Sequence, residues 1–448
     1  MMENDTICAL ATATGGALGL IRVSGRNTFE TVQPLFSKRL KKQGHQYGHI
    51  IGVSDEIVDE VLLSLFKAPN SYTGEDTIEI SCHGSTYVLK TVLGLLTQQG
   101  CRMAEPGEFT RRAFMNGKMD LSQAEAVADL IAATNRGTHH MAISQLKGGI
   151  SSELSQLREK LLHLTSLLEL ELDFSDHEDL EFADRTELLT LAQTIEKHVT
   201  RLAKTFETGK AIKQGIPVAI VGKTNVGKST LLNCLLKDER AIVSTIHGTT
   251  RDTIEDTMNI HGIQFRFIDT AGLRSTTDSI EQIGIERTYK AIERSTIVLW
   301  LVDEQPSDSD TANMTERCQG KTLILIQNKT DLHPSPINVP HGIHSFIAIS
   351  AKQGKETDTL EEIIYKAANM PEIKDTDVIV TSARHYEALT NALTNLQRVI
   401  DGLQSSLSGD LIAEDLRLVL TNLSDITGGT ITSQETLNNI FSHFCVGK

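Results

Sequence analysis

Apolar positions along the chain change their period three times, and each change marks a class of element. From residue 1 to 117 short β-rich runs, ALGLIRV (17–23), HIIGV (49–53), VLLSLF (61–66) and TIEISC (77–82), mix with helical runs such as STYVLKTVLGLLTQQG (85–100). That is the pattern of an α+β domain. From 118 to 211 the period becomes helical: Leu121, Ala124, Ala128 and Ile131 fall on one face, and Leu154, Leu157, Leu161, Leu164 and Leu168 form a second stripe, with almost no turn chemistry between them. Residues 373–448 read alike through Leu411, Leu416, Leu418 and Leu423. The two helical stretches are expected to pack as one α-helical bundle domain, its leucine stripes serving as core, with the chain between them inserted. That insert, 212–372, alternates the apolar strands IPVAIVG, IQFRFID, TIVLWLVD, TLILIQNK and HSFIAIS with helical stretches. Such alternation predicts a parallel α/β sheet with helices on both faces, binding ligands beyond its strand ends.

Composition narrows the function classes. At 448 residues and 40% hydrophobic content the chain can fill more than one core. The start, MMENDTICAL, lacks the basic stretch and apolar run of a signal peptide, and no segment has the roughly 18 apolar residues of a membrane span, so a cytoplasmic location is expected. Six cysteines are scattered without a C-x-x-C pair, which fits reduced thiols. A net charge of −15 excludes a chain that coats nucleic acid by itself, and any RNA substrate needs a local patch or a basic partner. With 4% aromatic residues, an extended base-stacking platform is not expected.

The chemistry is carried by the inserted segment. GKTNVGKST (222–230) fits G-x-x-x-x-G-K-[ST] directly after an apolar strand. There the backbone of Asn225, Val226 and Gly227 curls around phosphates, Lys228 reaches the β and γ oxygens, Ser229 holds Mg²⁺, and the helix starting through Thr230 adds its dipole. NKTD supplies Asn328, Lys329 and Asp331, whose carboxylate accepts both guanine N–H groups and would be left unpaired by adenine, so the nucleotide is GTP. SAK (Ser350, Ala351, Lys352) follows the next strand and can offer backbone N–H to the guanine oxygen. Between these lie GTTRD, with Gly248, Thr249 and Thr250, and DTAG, comprising Asp269, Thr270, Ala271 and Gly272. Thr250 completes the Mg²⁺ shell, Asp269 sits behind the metal and Gly272 faces the γ-phosphate. The four motifs in this order define a Ras-like P-loop GTPase. Leu273 stands where Ras-type enzymes carry the water-positioning glutamine, so another group must orient the water. Asn225 can lend oxygen to a monovalent cation caged by carbonyls from Ser244 to Thr249 (Ser244, Thr245, Ile246, His247, Gly248, Thr249). Glu281 can reach a water indirectly, although a carboxylate at a helix start also reads as a solvated surface group.

Long strings carry a resemblance beyond these motifs: PNSYTGEDTIEISCHG (69–84), EPGEFTRRAFMNGKMDLSQAEAVADLI (105–131), DTAGLR with IGIER, and the terminal FCVGK. End to end the chain resembles the MnmE (also called TrmE) family of tRNA-modification GTPases, whose GTPase domain is of the TrmE-Era-EngA type. The resemblance implies a K⁺-stimulated GTPase that works with a flavin-dependent partner, MnmG, to add an aminomethyl or carboxymethylaminomethyl group at C5 of the wobble uridine of certain tRNAs, with 5-formyl-tetrahydrofolate as carbon source. It also implies a folate-binding domain that forms a homodimer, a heterotetramer with the FAD protein, and a tRNA held largely by that partner. Carried over position by position, K⁺ falls on Asn225, Ser244, Ile246 and Thr249, Mg²⁺ on Ser229 and Thr250, the catalytic glutamate on Glu281, and folate contacts on Arg22, Glu79, Lys118 and Lys448. Cys445 lies beside the one-carbon chemistry. This chain departs from the family pattern in the loop ATATGGALG, at Ser85 and at His247.

Two rival readings carry their own signatures. A GTP-switch assembly factor for ribosomes or other RNA shares the nucleotide motifs and the leucine after DTAG, but usually bears a basic appendix where this chain has acidic helices. A prenylated membrane GTPase is suggested by the CVGK tail alone, yet Lys448 is a poor terminal residue for prenyl transfer and no polybasic run precedes it, so no membrane anchor is expected.

Overall fold

A computed structural model describes residues 5–173, 185–236, 256–268, 281–371, 377–405, 407–429, 434–442 and 444–447. Contacts group the chain into two units, Met1–Ala132 with Ala142–Thr200 and Glu387–Lys448, and Ala133–Met141 with Arg201–Tyr386.

The first unit holds a six-stranded sheet: β1 (Ile7–Leu10), β2 (Leu18–Ser24), β3 (Gly44–Ile51), β4 (Ile57–Phe66), β5 (Thr77–His83) and β6 (Arg102–Met103), in the order β3-β4-β5-β2-β1-β6. Neighbours are antiparallel except β1 and β6. Side chains alternate as a one-sided sheet requires. Val61, Leu63 and Leu65 of β4, Ile78 and Ile80 of β5, and Ile21 and Val23 of β2 are buried against Leu89, Val92 and Leu96 of the helix Thr86–Gln98. On the other face His45, Ser64, Glu79 and Arg22 stand opposite one another across four successive strands. The four expected strands and the helix are present. Strands β1 and β6 were not foreseen, because four and two residues are too few to carry a period. The unusual loop before β2 is pinned by hydrogen bonds between Gly84 and both Gly15 and Ala17. A Cβ at Gly84 would lie 2.0 Å from the Gly16 carbonyl. Ser85 precedes the helix in extended backbone and makes no side-chain cap.

The same unit contains the leucine stripe. Leu154, Leu157, Leu161, Leu164 and Leu168 are buried along the helix Gly149–Asp173, and the helix Gly409–Thr427 packs beside it. The second stripe differs from expectation. Leu416 and Leu423 are buried, whereas Leu411 and Leu418 are 56% and 42% exposed. At 3.6 residues per turn the core face is Ile412, Leu416, Val419, Leu423 and Ile426, and the two exposed leucines lie one position off it, about 100° around the axis. Leu121 and Ala124 are buried in the helix Leu121–Ala132, while Ile131, in its last turn, is 46% exposed. The helical run is also interrupted, with a turn at Gly148, whose φ is +84°.

In the second unit the sheet comprises β7 (Ile216–Val221), β8 (Asp256–Ile260), β9 (Ile263–Phe267), β10 (Ile297–Val302), β11 (Thr322–Gln327) and β12 (Ser345–Ala348), ordered β12-β11-β10-β7-β9-β8. Val218, Ile220, Leu299 and Leu301 enter the core on one face and Ala219, Val221, Val298 and Trp300 on the other. This two-sided burial explains the unbroken apolar runs. The sheet is not wholly parallel, as β8 is an antiparallel edge strand. A two-residue hairpin joins it to β9 through His261 and Gly262, both at positive φ (51° and 84°). The strand DTMNI alternates too weakly to be read from sequence.

Candidate functional site

The phosphate loop leaves β7 at Gly222 and enters the helix Lys228–Leu235. Its shape depends on residues that tolerate positive φ: Gly222 (151°), Asn225 (65°) and Gly227 (98°). Close approach makes two glycines necessary. A Cβ at Gly222 would lie 2.3 Å from the Leu301 carbonyl, and one at Gly227 would lie 2.3 Å from Asn328 Nδ2. Val226 anchors the loop in the core, while Asn225 and Thr230 are exposed. Lys228 Nζ donates to the Gly222 and Lys223 carbonyls at 2.7 Å each. Burial lowers its pKa from the ordinary lysine value.

Asn328 is the strut of this site. Its buried amide donates from Nδ2 to the Val226 carbonyl (2.8 Å) and accepts at Oδ1 from the Ala351 N–H (3.0 Å), tying phosphate loop, NKTD and SAK together. The Ala351 N–H, expected to face guanine, is therefore directed at Asn328. Asp331 is exposed and accepts from Ser350 Oγ at 2.7 Å, a bond that holds its carboxyl below the usual range. Lys329, at φ 62°, donates to Asp303 Oδ2 at 2.7 Å, and Lys352 is exposed. Asp303 was not foreseen, and its signal is an acid placed directly after the apolar run of β10. Ser229 lies in the first turn of the helix. Ser244, Thr245, Ile246, His247, Gly248, Thr249 and Thr250, together with Asp269, Thr270, Ala271 and Gly272, lie outside the described residues, and of Glu281 only the backbone, at the start of the helix Glu281–Arg294, is described.

A second cluster lies in the first unit. Arg22 donates from Nε (2.9 Å) and Nη2 (2.8 Å) to Glu79 Oε1, and from Nη1 to the Gly447 carbonyl (3.3 Å). Its guanidinium carbon lies 5.4 Å from the Tyr72 ring centre and 5.6 Å from that of Phe109. Of five N–H donors on the guanidinium, two have no partner among the described residues. Glu79 Oε2 likewise accepts no bond there. The pair thus presents an open carboxylate oxygen beside open donors, a match for a ligand edge that bears both kinds of group. Lys118 Nζ donates to the Pro69 carbonyl (3.0 Å), on the loop that carries Tyr72. The chain's end is docked here. Phe444 packs on Phe441 and Leu121, the Gly107 N–H reaches the Cys445 carbonyl (3.4 Å), and a Cβ at Gly447 would lie 2.4 Å from the Leu10 carbonyl. Cys445 is exposed, whereas Cys8, Cys82, Cys101 and Cys318 are buried. Lys448 lies outside the described residues.

Beneath the docked tail runs a charge network that sequence reasoning missed. Glu108, fully buried, accepts from Arg102 Nη2 (2.6 Å), Arg112 Nη2 (2.9 Å) and the Glu105 N–H (2.8 Å). Asp5 accepts from Arg102 (2.7 Å) and Arg112 (2.5 Å), and Glu75 from Arg112 (3.2 Å). Burial would raise both Glu108 and Asp5, but the arginine hydrogen bonds outweigh it and hold both below their ordinary values. The signal was the helical spacing of Glu108 and Arg112 in GEFTRRAF.

The MnmE helical domain family matches residues 121–445, and the GTP-binding protein TrmE N-terminus family matches residues 6–118. A protein of Bacteroides thetaiotaomicron named tRNA modification GTPase MnmE is 52% identical, with all of both chains covered. Proteins of the same name from Parabacteroides distasonis (53% identical, 99% of this chain and 100% of that one) and Porphyromonas gingivalis (48%, 100% and 98%) are similar to it over the same span. No helix among the described residues is long and apolar enough to cross a membrane.

Proposed function

We propose, since the chain belongs to the tRNA modification GTPase MnmE family, that its GTP hydrolysis drives a conformational change in a complex that modifies C5 of the wobble uridine of certain tRNAs. The protein is a GTP hydrolase that takes part in tRNA modification, built from an N-terminal TrmE domain, a helical domain and a P-loop GTPase domain. In our reading these span 1–117, 118–211 with 373–448, and 212–372. The observation that supports the GTPase reading most is the Asn328 strut, which joins the phosphate loop to the base loop, with the exposed Asp331 carboxylate oriented beside them by Ser350.

Each group then has a task. Asp331 accepts the two guanine N–H groups, loop N–H groups and Lys228 bind phosphate, and Glu281 orients the attacking water in place of the glutamine that Leu273 replaces. Ser229 and Thr250 would hold Mg²⁺, and Asn225 with Ser244, Ile246 and Thr249 would hold K⁺. Their hydroxyl, amide and carbonyl oxygens suit hard cations, which when bound offset charge developing on the phosphoryl oxygens. In the first unit the open Glu79 oxygen, the remaining Arg22 donors, Lys118 and Lys448 would orient 5-formyl-tetrahydrofolate, with the thiol of Cys445 beside its one-carbon group. The remaining partners are a second copy through the N-terminal domain and an MnmG-type FAD protein that holds most of the tRNA, giving a heterotetramer in the cytoplasm.

Mass spectrometry of wobble uridines tests this reading. In cells lacking the protein the aminomethyl or carboxymethylaminomethyl group at C5 is expected to disappear. Unchanged modification would overturn it in favour of an RNA or ribosome assembly factor.

A further inference from the structure

The acidic chain, of net charge −15, carries a compact basic cluster in a stretch free of carboxylates. From Thr31 to Ser54 there is no Asp or Glu, and Lys38, Arg39, Lys41 and Lys42 fall within five residues of one another. All four are exposed, and none has a carboxylate within ion-pair distance among the described residues. The turn that carries them is built from two sides. Gln33 donates to the Lys38 carbonyl (3.1 Å) and accepts from the Leu40 N–H (2.8 Å), while Gln46 of β3 donates to the Arg39 carbonyl (2.8 Å) and accepts from the Lys41 N–H (3.0 Å). Lys38 Nζ is itself fixed on the Tyr47 carbonyl at 2.8 Å. The backbone polar groups of the turn are thus satisfied by glutamines rather than by the basic side chains, leaving Arg39, Lys41 and Lys42 directed outward on an ordered frame. In β4, Glu60 is paired with His49 and Asp59 with His83. This turn leads into β3, whose His45 stands three strands from Arg22 across the row His45, Ser64, Glu79, Arg22. Three spacings of about 4.8 Å put it roughly 14 Å from the folate-site candidate.

We infer that the Lys38–Lys42 turn is a phosphate-binding surface through which this chain meets the tRNA backbone beside its one-carbon site. The inference rests on the reading that tRNA is the substrate. The chemistry favours RNA over an anionic membrane, because apart from the half-buried Leu40 the turn carries no apolar side chain to insert among acyl chains. Such contacts position the backbone and do not read sequence.

The test uses the full-length chain and a labelled tRNA transcript, titrated between about 50 and 200 mM salt without nucleotide. For K38Q/R39Q/K41Q/K42Q the slope of log affinity against log salt should fall by about 3, at roughly 0.7–0.9 per phosphate contact, and affinity near 0.1 M salt should fall at least about tenfold. GTP turnover in this variant is expected to match the parent, which reports an intact fold. K355Q/K366Q, a charge loss in the other unit, should leave slope and affinity unchanged. Equal slopes for parent and quadruple variant would overturn the inference, as would an equal fall in the control variant. So would loss of binding to phosphatidylglycerol vesicles with tRNA binding intact. Failure here alongside lost modification in cells lacking the protein sinks the surface and spares the function; unchanged modification sinks the function instead.

Discussion

Asp331 discriminates bases by what it would lose. Exposed and held ionised by Ser350, it must be paired by two N–H donors of the base to be satisfied on binding. In Asp331→Asn the amide turns one acceptor into a donor. GTP affinity is expected to fall roughly a hundredfold or more, and xanthosine triphosphate should become the better ligand. Competition binding measures both, and unchanged GTP affinity would mean that another group reads the base. Because its carboxyl lies below the ordinary aspartate range, base selection should persist in mild acid and fade only as pH drops past about 4.

At the scale of elements, the hairpin between β8 and β9 illustrates how tightly local geometry is specified. Gly262 sits at φ 84°, its carbonyl accepts from the Gly137 N–H at 3.1 Å, and a Cβ there would lie 3.2 Å from Arg136 Cβ. Gly262→Ala should therefore destabilise the second unit by about 1–2 kcal/mol, read by urea unfolding of its single tryptophan, Trp300 in β10. No shift in the midpoint would show that the turn relaxes freely. Helix periods were legible at this scale, and so was the phase of the Leu154–Leu168 stripe, but not that of the helix Gly409–Thr427. Leu411 and Leu418 share the spacing of a stripe, but the face buried is the one that meets the helix Gly149–Asp173.

For the molecule as a whole, two conditions probe what the parts do together. Glu108 and Asp5 titrate below their unfolded values of about 4.3 and 3.9, so the folded first unit binds fewer protons than the unfolded chain. Their stabilisation is complete above those values and is lost as pH falls through the lower folded ones. Glu108→Gln should lower stability near neutral pH by about 3–5 kcal/mol, leaving guanidinium charge without its partner, and melting temperature should then fall less steeply below about pH 4. Parallel acid melting curves for parent and variant would exclude the network as the cause. The proposed monovalent cation site is tested by turnover: GTP hydrolysis should be faster in KCl than in NaCl at equal ionic strength, and equal rates would remove Asn225 from that role.

Residue spacing alone determined the nucleotide chemistry, because a phosphate loop and a base-reading carboxylate are each made within a few consecutive residues that follow a strand. It also determined most strands and helices, whose periods are local properties of the chain. Tertiary structure decided which helix face is core, the antiparallel edge strand β8, and the role of Asn328 as a strut. It alone brought the Gly447 carbonyl onto Arg22, 425 positions away, and assembled Asp5, Glu75, Arg102, Glu108 and Arg112 into one network. No local period encodes contacts between residues so far apart. They exist because strand pairing and packing place those side chains where burial makes an unpaired charge too costly to leave.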